Sequence, residues 1–436
     1  MQPVNVGLLG IGTVGGGTYT VLTRNAEEIA RRAGRPIQVS IVADNHTGRA
    51  RALTGDSCRV TNDPFSVVND PTVDVVVELI GGYTTARELV MRAIENGKHV
   101  VTANKALLAL YGNEIFAAAQ QKGVMVAFEA AVAGGVPIIK ALREGLSANR
   151  IEWVAGIING TTNFILSEMR EKGLPFAEVL KEAQRLGYAE ADPTFDIEGI
   201  DAAHKATLIA AIAFGIPVRF DKAHVEGITK LEALDIRYAG QLGYRIKLLG
   251  VTKRREDGVE LRVHPALVPE KRLLASVEGA MNAVLVKGDA VGATLYYGKG
   301  AGAEPTASAV IADLVDVTRA ATTDPDNRVP HLAFQPDQLH DLVILPIEEA
   351  ETAFYLRLTV EDKPGVLADI TRILADEGIS IDAMLQKEPE EGEGTTDIIM
   401  LTHVCREKHA NAAIHKIEAL SSVRNAVTKL RLENLQ

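Results

Sequence analysis

A glycine-rich turn near the start of the chain limits most strongly what this chain can fold into. An apolar run at residues 4–9 leads into Gly10-Ile11-Gly12-Thr13-Val14-Gly15, and a helix-like stretch follows at 18–32. The glycines permit a tight turn and let backbone N–H groups at a helix start approach a pyrophosphate. A strand, this turn and a helix together predict a Rossmann-like dinucleotide-binding fold; the alternative is a glycine turn without a ligand.

The end of the next predicted strand bears on the choice of dinucleotide. Residues 37–43 form that strand, and Asp44 follows it. An acidic side chain there would bind the ribose 2′-hydroxyl of NAD and repel the 2′-phosphate of NADP. Arg49 and Arg51 lie close by and could hold such a phosphate, and Asp44 is also suited to a plain turn. The sequence therefore favours NAD and leaves NADP open.

Three further apolar runs extend the predicted sheet, at residues 73–80, 98–102 and 124–128. Such runs are typical of central parallel strands, and an open parallel sheet binds ligands at the carboxyl ends of its strands. Lys105 follows the second run at that edge. The same position suits an ordinary solvated lysine in the first turn of a helix. We predict an α/β nucleotide-binding domain over residues 1–135, with Lys105 as a candidate site residue.

Length and composition narrow the class of protein. A chain of 436 residues is too long for one core, which predicts two or three domains. A net charge of −11 argues against nucleic-acid or anionic-membrane partners. Cys58 and Cys405 lack metal-ligand spacing and indicate a reducing compartment. With no bilayer-length apolar run and no basic start typical of a signal peptide, we expect a cytoplasmic protein.

A strongly acidic stretch runs directly into an apolar helix in the middle of the chain. The predicted helix, residues 200–214, is apolar nearly all round and should be buried, yet it contains Lys205. Leu208 and Ile209 lie one turn after the lysine, and Asp201 lies one turn before it. Burial disfavours the charged amine while Asp201 favours it, so the pair is suited to moving a proton near neutral pH. The alternative is an ordinary Asp–Lys pair in water.

Two segments carry a resemblance to a known family. The stretch GYAEADPTFDIEGIDAAHK (187–205) is very similar to the central signature of homoserine dehydrogenases, and VTANKALLA (101–109) also matches their pattern. The resemblance covers essentially the whole chain. It implies NAD(P)-dependent interconversion of L-homoserine and L-aspartate 4-semialdehyde, on the route to threonine, methionine and isoleucine. A homodimer or homotetramer is also implied.

The resemblance assigns roles to the acidic stretch and its lysine. Lys205 would transfer the proton, and Lys105 would contact the cofactor beside the substrate. Glu190 and Asp201 would hold the amino and alcohol end of the substrate, and Asp196 would belong to the same acidic pocket.

Glycine positions are expected to approach the cofactor as well. The resemblance places the backbone of Gly187 against it. Gly302 matches within the glycine-rich loop 298–306, which precedes a helix and also suits a flexible hinge. The polar turn 159–163 lies close to the active site by resemblance, and its threonines also suit simple helix caps.

A small-residue turn is a candidate cation site. Glu129 begins it, and its backbone carbonyls beside one carboxylate would suit a hard cation, although a plain glycine turn explains the sequence equally. Homoserine dehydrogenases have a monovalent-cation site, usually described with sodium. The resemblance places this site on Glu129 and on the carbonyls of Val132, Gly134 and Val136.

The C-terminal part predicts strands and helices in the order βαββαβ, with a polar hairpin at 388–396. Together with Asp362-Lys363-Pro364-Gly365-Val366-Leu367, this order resembles an ACT domain, a regulatory module that binds amino acids between paired copies. Asp362, Gly365, Val366 and Leu367 are the candidate effector residues, and L-threonine is the effector expected from the resemblance. A domain that only dimerises is the alternative.

The sequence thus predicts an α/β protein of three domains. They are a Rossmann-like domain (1–135), an α+β catalytic and dimerisation domain (136–320) whose last helix returns to the cofactor domain, and an ACT domain (351–436) after a linker (321–350). Two other functions remain open. One is a related Rossmann reductase for another amino-acid semialdehyde, and the other is an amino-acid sensor that has lost its chemistry.

Overall fold

The computed structural model describes residues 2–386 and 394–436. Most of the polar hairpin predicted at 388–396 lies outside these described residues. Within them, no helix is long and apolar enough to cross a membrane.

The strands of the described residues are β1 (Val4–Leu9), β2 (Ile37–Ala43), β3 (Arg59–Thr61), β4 (Val75–Glu78), β5 (His99–Thr102), β6 (Val126–Ala127), β7 (Ile151–Ile157), β8 (His224–Val225), β9 (Tyr244–Arg254), β10 (Val259–Pro269), β11 (Met281–Gly288), β12 (Gly292–Lys299), β13 (Glu351–Glu361), β14 (Ile381–Gln386), β15 (Thr395–Thr402), β16 (Cys405–Arg406) and β17 (Thr428–Leu432).

The helices of the same residues are α1 (Thr13–Arg24), α2 (Ala26–Ala33), α3 (Thr47–Thr54), α4 (Pro64–Val68), α5 (Thr84–Glu95), α6 (Lys105–Lys122), α7 (Ile138–Lys140), α8 (Gly160–Lys172), α9 (Phe176–Arg185), α10 (Thr194–Ile197), α11 (Ile200–Phe214), α12 (Ala233–Gln241), α13 (Ala303–Ala320), α14 (Val366–Asp376) and α15 (Glu407–Glu418).

The first six strands form a parallel sheet in the order β3-β2-β1-β4-β5-β6. This is the doubly wound arrangement of dinucleotide-binding folds. Successive strands are added on one side of β1 up to β3 and on its other side from β4 onward, so the strand order reverses between β1 and β4. Every residue of β4 is buried, as expected for a parallel strand covered on both faces. The predicted Rossmann-like domain is confirmed.

The first helix differs from the prediction of one helix at 18–32. The chain instead forms α1 and α2, interrupted at Asn25. Helix α1 begins five residues earlier than predicted, because Gly12 is still extended and Thr13 can enter the helix directly. The earlier start brings the free N–H groups of the first helical turn to the glycine-rich turn, where an anion would bind.

A second, mixed sheet contains the other eleven strands, and its main path runs β12-β11-β7-β9-β10-β17-β13-β15-β14. The long hairpin of β9 and β10 forms its centre, and every residue of β10 is buried. Strand β12 was not predicted. It pairs with β11 and begins with a glycine, and its side chains are half-buried or exposed, so no apolar alternation marks it.

The C-terminal elements follow the predicted βαββαβ order, with the short strand β16 added. Their last strand does not stay within a sheet of its own. Ala266 and Leu267 of β10 pair in parallel with Arg431 and Leu432 of β17. The C-terminal domain therefore extends the central sheet of the preceding domain through main-chain hydrogen bonds.

The segment 321–350, which we predicted as a linker, packs against both the nucleotide-binding domain and the domain that follows it. The backbone N–H of Val126 in β6 donates to Nε2 of His331 at 3.1 Å. Further along, the N–H of His340 donates to the carbonyl of Gly215 at 2.8 Å. The segment thus contacts the nucleotide-binding sheet and then the end of α11 before it enters β13.

Helix α11 has the predicted bounds and is buried throughout from Asp201 to Phe214. Gly199 and Gly215 flank it, and both adopt left-handed backbone conformations, with φ of 81° and 63°. Burial of each large aliphatic side chain in such a helix stabilises the fold by about 1.5–3 kcal/mol. This packing fixes the helix on which Asp201 and Lys205 lie.

Candidate active site

Two lysines share one buried carboxylate at the centre of the molecule. Nζ of Lys205 lies 2.7 Å from Oδ2 of Asp201, and Nζ of Lys105 lies 2.9 Å from Oδ1 of the same residue. The side chains of Lys205 and Asp201 are 11% and 5% exposed, whereas that of Lys105 is 34% exposed. Lys105 begins α6 at the carboxyl end of β5, so this ion pair joins the nucleotide-binding sheet to helix α11.

The surroundings shift the pKa values of the two amines in opposite directions. Burial lowers the pKa of Lys205, and Asp201 offsets this only in part, while Lys105 adds a further lowering. Burial would also lower the pKa of Lys105, but Asp201 outweighs it and the pKa lies above its ordinary value. The pKa of Asp201 falls well below its usual range, because the two ammonium groups outweigh the effect of its burial. The site therefore favours the charged form of Lys105 and disfavours the charged form of Lys205.

The residues after β7 hold this cluster in place. The carbonyl of Ile158 accepts a hydrogen bond from Nζ of Lys205 at 2.8 Å. Nδ2 of Asn159 donates to Oδ2 of Asp201 at 2.8 Å and to Oδ1 of Asp196 at 2.7 Å. Asp196, which was expected in the acidic pocket, therefore shares the amide of Asn159 with Asp201. Burial and the charge of Asp201 raise the pKa of the Asp196 carboxyl group.

Glu190 lies on the exposed loop in front of α10. Its charge contributes to raising the pKa of Lys105, after the larger effects of Asp201 and Asp196. Gly187, at the start of the loop, has a left-handed φ of 77°. The hydroxyl of Thr161 donates to the carbonyl of Tyr188 at 2.7 Å, so the loop is fastened to the first turn of α8. The structure thus gathers the predicted substrate residues around Lys105.

The glycine-rich turn lies where the Rossmann prediction places it. Gly10 has a left-handed φ of 92°, and a Cβ atom there would lie 2.7 Å from the carbonyl oxygen of Leu79. A Cβ at Gly15 would meet the carbonyl oxygen of Gly10 at 2.0 Å. Only glycine fits either position, so the turn can pack this closely against β4 and α1. Thr13 and Val14 form the first turn of α1, where N–H groups remain free for an anion.

Asp44 has a structural role in the same turn. Its Oδ2 accepts a hydrogen bond from the backbone N–H of Ile11 at 2.7 Å, and its Oδ1 accepts one from the N–H of His46 at 2.7 Å. The carboxylate therefore connects the end of β2 to the phosphate-binding turn after β1. Arg49 and Arg51 are exposed on the following helix.

Gly302 precedes α13, which returns to the nucleotide-binding domain. Its φ of 127° is a conformation that favours glycine. Helix α13 packs against α1, and a Cβ at Gly17 would lie 2.5 Å from the carbonyl oxygen of Ala303. The structure therefore brings Gly302 beside the helix that follows the glycine-rich turn.

Two polar residues near this edge, the buried Glu78 and the half-buried Asn104, were not predicted to have a role. Oε2 of Glu78 at the end of β4 accepts from the hydroxyl of Thr102 at 2.7 Å, and burial raises the pKa of Glu78. Nδ2 of Asn104 donates to the carbonyl of Gly82 at 2.6 Å. These bonds hold together the loops after β4 and β5. A lone acid within an apolar strand was the only signal in the sequence.

The predicted cation residues lie in one buried turn. Oε1 and Oε2 of Glu129 accept from the N–H groups of Ile139 and Lys140 at 2.9 and 2.7 Å. The backbone N–H of Glu129 donates to Asp313 at 2.7 Å. Burial and the neighbouring Asp313 raise the pKa of Glu129 to about 7. Nζ of Lys140 lies 3.9 Å from Oδ1 of Asp313, so this turn contains a charged amine as well as two acids. Val132, Gly134 and Val136, the other predicted ligands, are buried in the same turn.

The predicted effector residues lie at the start of α14. Gly365 adopts a left-handed φ of 97° just before the helix. Asp362 and Gly365 are exposed, Leu367 is half-buried, and Val366 packs into the core of the C-terminal domain.

Three segments of the chain match known protein-family models. Residues 10–129 match the NAD-binding domain of homoserine dehydrogenase, residues 137–315 match homoserine dehydrogenase, and residues 354–422 match the ACT domain.

Relatives match over the full length. The chain is 64% identical over 435 residues to a homoserine dehydrogenase of Pseudomonas aeruginosa, with 100% of each chain covered. A crystal structure of a homoserine dehydrogenase from Thiobacillus denitrificans is 70% identical, with a TM-score of 0.96 and coverage of 100% of this chain and 99% of that one. A hyperthermophilic archaeal homoserine dehydrogenase in complex with NADPH is 26% identical over 73% of this chain and 98% of that one, with a TM-score of 0.63. The chain belongs to the homoserine dehydrogenase family of NAD(P)-dependent oxidoreductases and carries a C-terminal ACT domain.

Proposed function

We propose that the protein interconverts L-homoserine and L-aspartate 4-semialdehyde, with Lys205 as the group that takes and returns the hydroxyl proton. The observation that carries this proposal is the buried Lys205 amine, which hydrogen bonds to one carboxylate and one backbone carbonyl. A protonated amine has three donor positions. Two are occupied within the protein, so the third remains for a substrate oxygen.

Bound NAD(P)⁺ would supply the hydride acceptor for the alcohol carbon of homoserine. As the hydride leaves, the hydroxyl proton passes to the neutral amine of Lys205. In the reverse direction the Lys205 ammonium returns this proton to the aldehyde oxygen. A lowered pKa supports this role, because it makes the neutral form of the lysine easier to reach than in an ordinary lysine.

Lys105 supplies fixed positive charge in this proposal. Its pKa is raised by Asp201, so the ammonium persists at neutral pH. Lys105 also follows the ligand-binding end of β5. It is therefore suited to orient the cofactor or to stabilise negative charge that develops on the reacting oxygen.

The acidic residues recognise the other end of the substrate. Glu190, Asp196 and Asp201 together place negative charge around Lys105. An α-ammonium group entering this cluster would gain charge-assisted hydrogen bonds that a substrate without such a group could not form. This supports an amino-acid alcohol as substrate.

The cofactor would lie on the glycine-rich turn, near Lys105, Gly187 and Gly302. Asp44 supports NAD as the preferred form, because its carboxylate at the end of β2 would repel a 2′-phosphate. The NADPH complex of the archaeal relative and the exposed Arg49 and Arg51 support NADP as an alternative. The preference is tested by measuring kcat/KM with NAD and with NADP, in the wild type and in Asp44→Asn. A preference for NAD that falls in the variant supports Asp44 as the residue that selects NAD.

A monovalent cation, expected to be sodium, fits the turn that begins at Glu129. Glu129 and Asp313 are both buried, and the charge of Asp313 acts on the Glu129 carboxyl group. Hard cations prefer carboxylate and carbonyl oxygens of this kind. Glu129 and the carbonyls of Val132, Gly134 and Val136 would hold the cation. It would supply positive charge that keeps the turn ordered beside α13.

Regulation and assembly complete the proposal. We assign residues 1–135 to the cofactor domain, 136–320 to the catalytic and dimerisation domain, 321–350 to the linker, and 351–436 to the ACT domain. The exposed residues at the start of α14 would bind L-threonine as an inhibitor of threonine, methionine and isoleucine biosynthesis. A homodimer or homotetramer is supported by the long, partly exposed edge strand β12.

Initial rates test the function. The protein is assayed with homoserine and with other amino alcohols, using NAD⁺ or NADP⁺, with and without added threonine. Preference for homoserine supports the proposal. Preference for another substrate supports a related reductase, and threonine binding without any hydride transfer supports the catalytically silent sensor.

A further inference from the structure

Asn159 occupies an unusual position between two acids. It lies directly after β7, and its side chain is 4% exposed. One N–H group of Nδ2 is available for each carboxylate, and the distances to Asp196 and Asp201 are 2.7 and 2.8 Å. These partners are 37 and 42 residues further along the chain. A single amide thus joins two acids that lie on different helices.

The orientation of this amide is fixed from its other end. Oδ1 of Asn159 accepts hydrogen bonds from the backbone N–H and the hydroxyl of Thr162, at 2.8 and 2.9 Å. A rotated amide would direct its oxygen at two carboxylates and its NH₂ at the N–H of Thr162. That arrangement would be repulsive at both ends, so the network admits only one orientation.

Without a donor between them, two neighbouring carboxylates would compete for a proton. Close acids repel each other when both are ionised, and they commonly hold one proton between them. Asp201 keeps its charge through the two lysines. Asp196 would then take up the proton and lose its attraction for a substrate ammonium. Asn159 removes this tendency by donating one N–H to each acid.

We propose that Asn159 is a positioning residue that keeps Asp196 and Asp201 both ionised and aligned, so that Asp196 can bind the ammonium group of the substrate. This inference rests on the proposed function of the acidic pocket. Several charged or titratable groups act on this pair of acids from the surrounding elements, namely Lys105 on α6 and Lys205 and His204 on α11. Glu190, on the loop before α10, acts on Lys105.

The variant Asn159→Ser separates this role from that of a helix cap. Serine is among the best residues for capping a helix N-terminus, so α8 retains an acceptor for Thr162. The variant loses the NH₂ group that donates one hydrogen bond to Asp196 and one to Asp201. Asn163→Ser is the matched control, because Asn163 is buried on the same helix and donates to the carbonyls of Val277, Gly279 and Met281, but it contacts neither acid.

The first readout needs no substrate. The carboxyl carbons of ¹³C-labelled aspartate are titrated by NMR, with the signal of Asp196 assigned from Asp196→Asn. In the wild type we expect Asp196 to titrate alone, without a proton shared with Asp201. In Asn159→Ser its midpoint should move to higher pH, and in Asn163→Ser it should not. A shared proton in the wild type, or equal midpoints in all three proteins, would overturn the proposal.

The second readout is the pH dependence of kcat/KM for homoserine at saturating cofactor. At pH values below the Asp196 midpoint, Asn159→Ser should lose roughly tenfold for each unit by which that midpoint rises, and the loss should disappear once the pH exceeds the midpoint of the variant. The KM for the cofactor should change less than about twofold. A loss that is uniform with pH indicates a purely structural role and contradicts the proposal. Asn159→Asp keeps the shape and the cap but adds a carboxylate, so its shift should exceed that of serine.

The two readouts distinguish this inference from the proposed function. If the wild type fails to oxidise homoserine but the Asp196 midpoint still moves in Asn159→Ser, the proposed substrate is wrong and the role of Asn159 is retained. If homoserine is oxidised but the midpoint does not move, the proposed function is retained and the role of Asn159 is wrong.

Discussion

Lys105 and Lys205 contact different oxygens of one buried carboxylate, Asp201, at 2.9 and 2.7 Å. One lysine follows a strand of the nucleotide-binding sheet, and the other lies in the buried helix of the catalytic domain. Because the Asp201 carboxylate is shared, the two amines influence each other. The charge of Lys105 lowers the pKa of Lys205, so the first amine disfavours the charged form of the second.

Removal of Lys105 should therefore change both the rate and the pH dependence. We expect Lys105→Met to reduce turnover by about 10²–10³-fold, as for loss of one donor that stabilises developing charge. The pKa of Lys205 should rise, because a neighbouring positive charge is gone. For homoserine oxidation the rising limb of the pH–rate profile should then move to higher pH. A profile that keeps its shape in the variant would show that the lysines are not coupled.

Acid should weaken the edge of the nucleotide-binding sheet through His331. Its Nε2 accepts from the N–H of Val126, and burial, with the charges of Arg143 and Arg328, lowers the pKa of this histidine to about 4. A folded-state pKa below the ordinary value stabilises the protein above pH 6.5, and this stability is lost as the pH falls toward 4. The full effect is about 3 kcal/mol by linkage.

His331→Gln tests this, because glutamine can accept the same hydrogen bond without titrating. The midpoint of thermal unfolding is measured between pH 7 and pH 4.5. The wild type should lose more stability than His331→Gln over this range, while the exposed His415→Gln should follow the wild type. Parallel curves for all three proteins would count against the assignment to His331.

Arg431 should be essential for joining the C-terminal domain to the central sheet. Its side chain is 1% exposed and forms two hydrogen bonds of 2.9 Å to Glu226 and two, of 2.7 and 2.5 Å, to Glu407. Arg431→Met would remove these charge-assisted bonds while Lys429 still pairs with Glu407, which should cost about 1.5–3 kcal/mol. We expect a correspondingly lower unfolding temperature.

Arg424→Met is the control for this prediction, because Arg424 pairs with Glu361 while half exposed, and such surface pairs contribute about 0–1 kcal/mol. Calorimetry of both variants measures the difference. Equal stability losses would mean that the buried network around Arg431 contributes no more than a surface pair.

Sodium should stabilise the protein through the turn at Glu129. At a hundred times its dissociation constant, a cation that binds only the folded state adds about 2.7 kcal/mol. Thermal unfolding is compared in sodium and choline chloride at equal ionic strength. The wild type and the exposed-site control Glu144→Gln should show the sodium effect, and Glu129→Gln should lose it. A sodium effect that survives in Glu129→Gln would place the cation elsewhere.

Local sequence patterns predicted much of this fold. The bounds of helix α11 follow from a largely apolar stretch between Gly199 and Gly215, and the strand–turn–helix at Gly10 to Gly15 identified the nucleotide-binding domain. These features depend on residues that are neighbours in the chain. Their physical causes, helix burial and glycine conformations, can therefore be recognised in a short segment.

Long-range pairings could not be predicted in the same way. Lys105 and Asp201 are far apart in the chain, and nothing local indicates that their side chains meet. Asn159 was recognised only as part of a polar turn, because its acidic partners come from other helices. The parallel pairing of β17 with β10 likewise depends on docking between domains, which no local periodicity records.

The most direct test of Lys205 is the pH dependence of kcat/KM in both reaction directions, for the wild type and for Lys205→Ala. Oxidation needs the neutral amine and reduction needs the ammonium, so one pKa, below the ordinary lysine value, should give a rising limb in the first direction and a falling limb in the second. In folded Lys205→Ala both limbs should disappear and turnover should drop by about 10²–10⁴-fold. Near-normal turnover in that variant, or limbs that persist unchanged, would contradict the assignment of proton transfer to this amine.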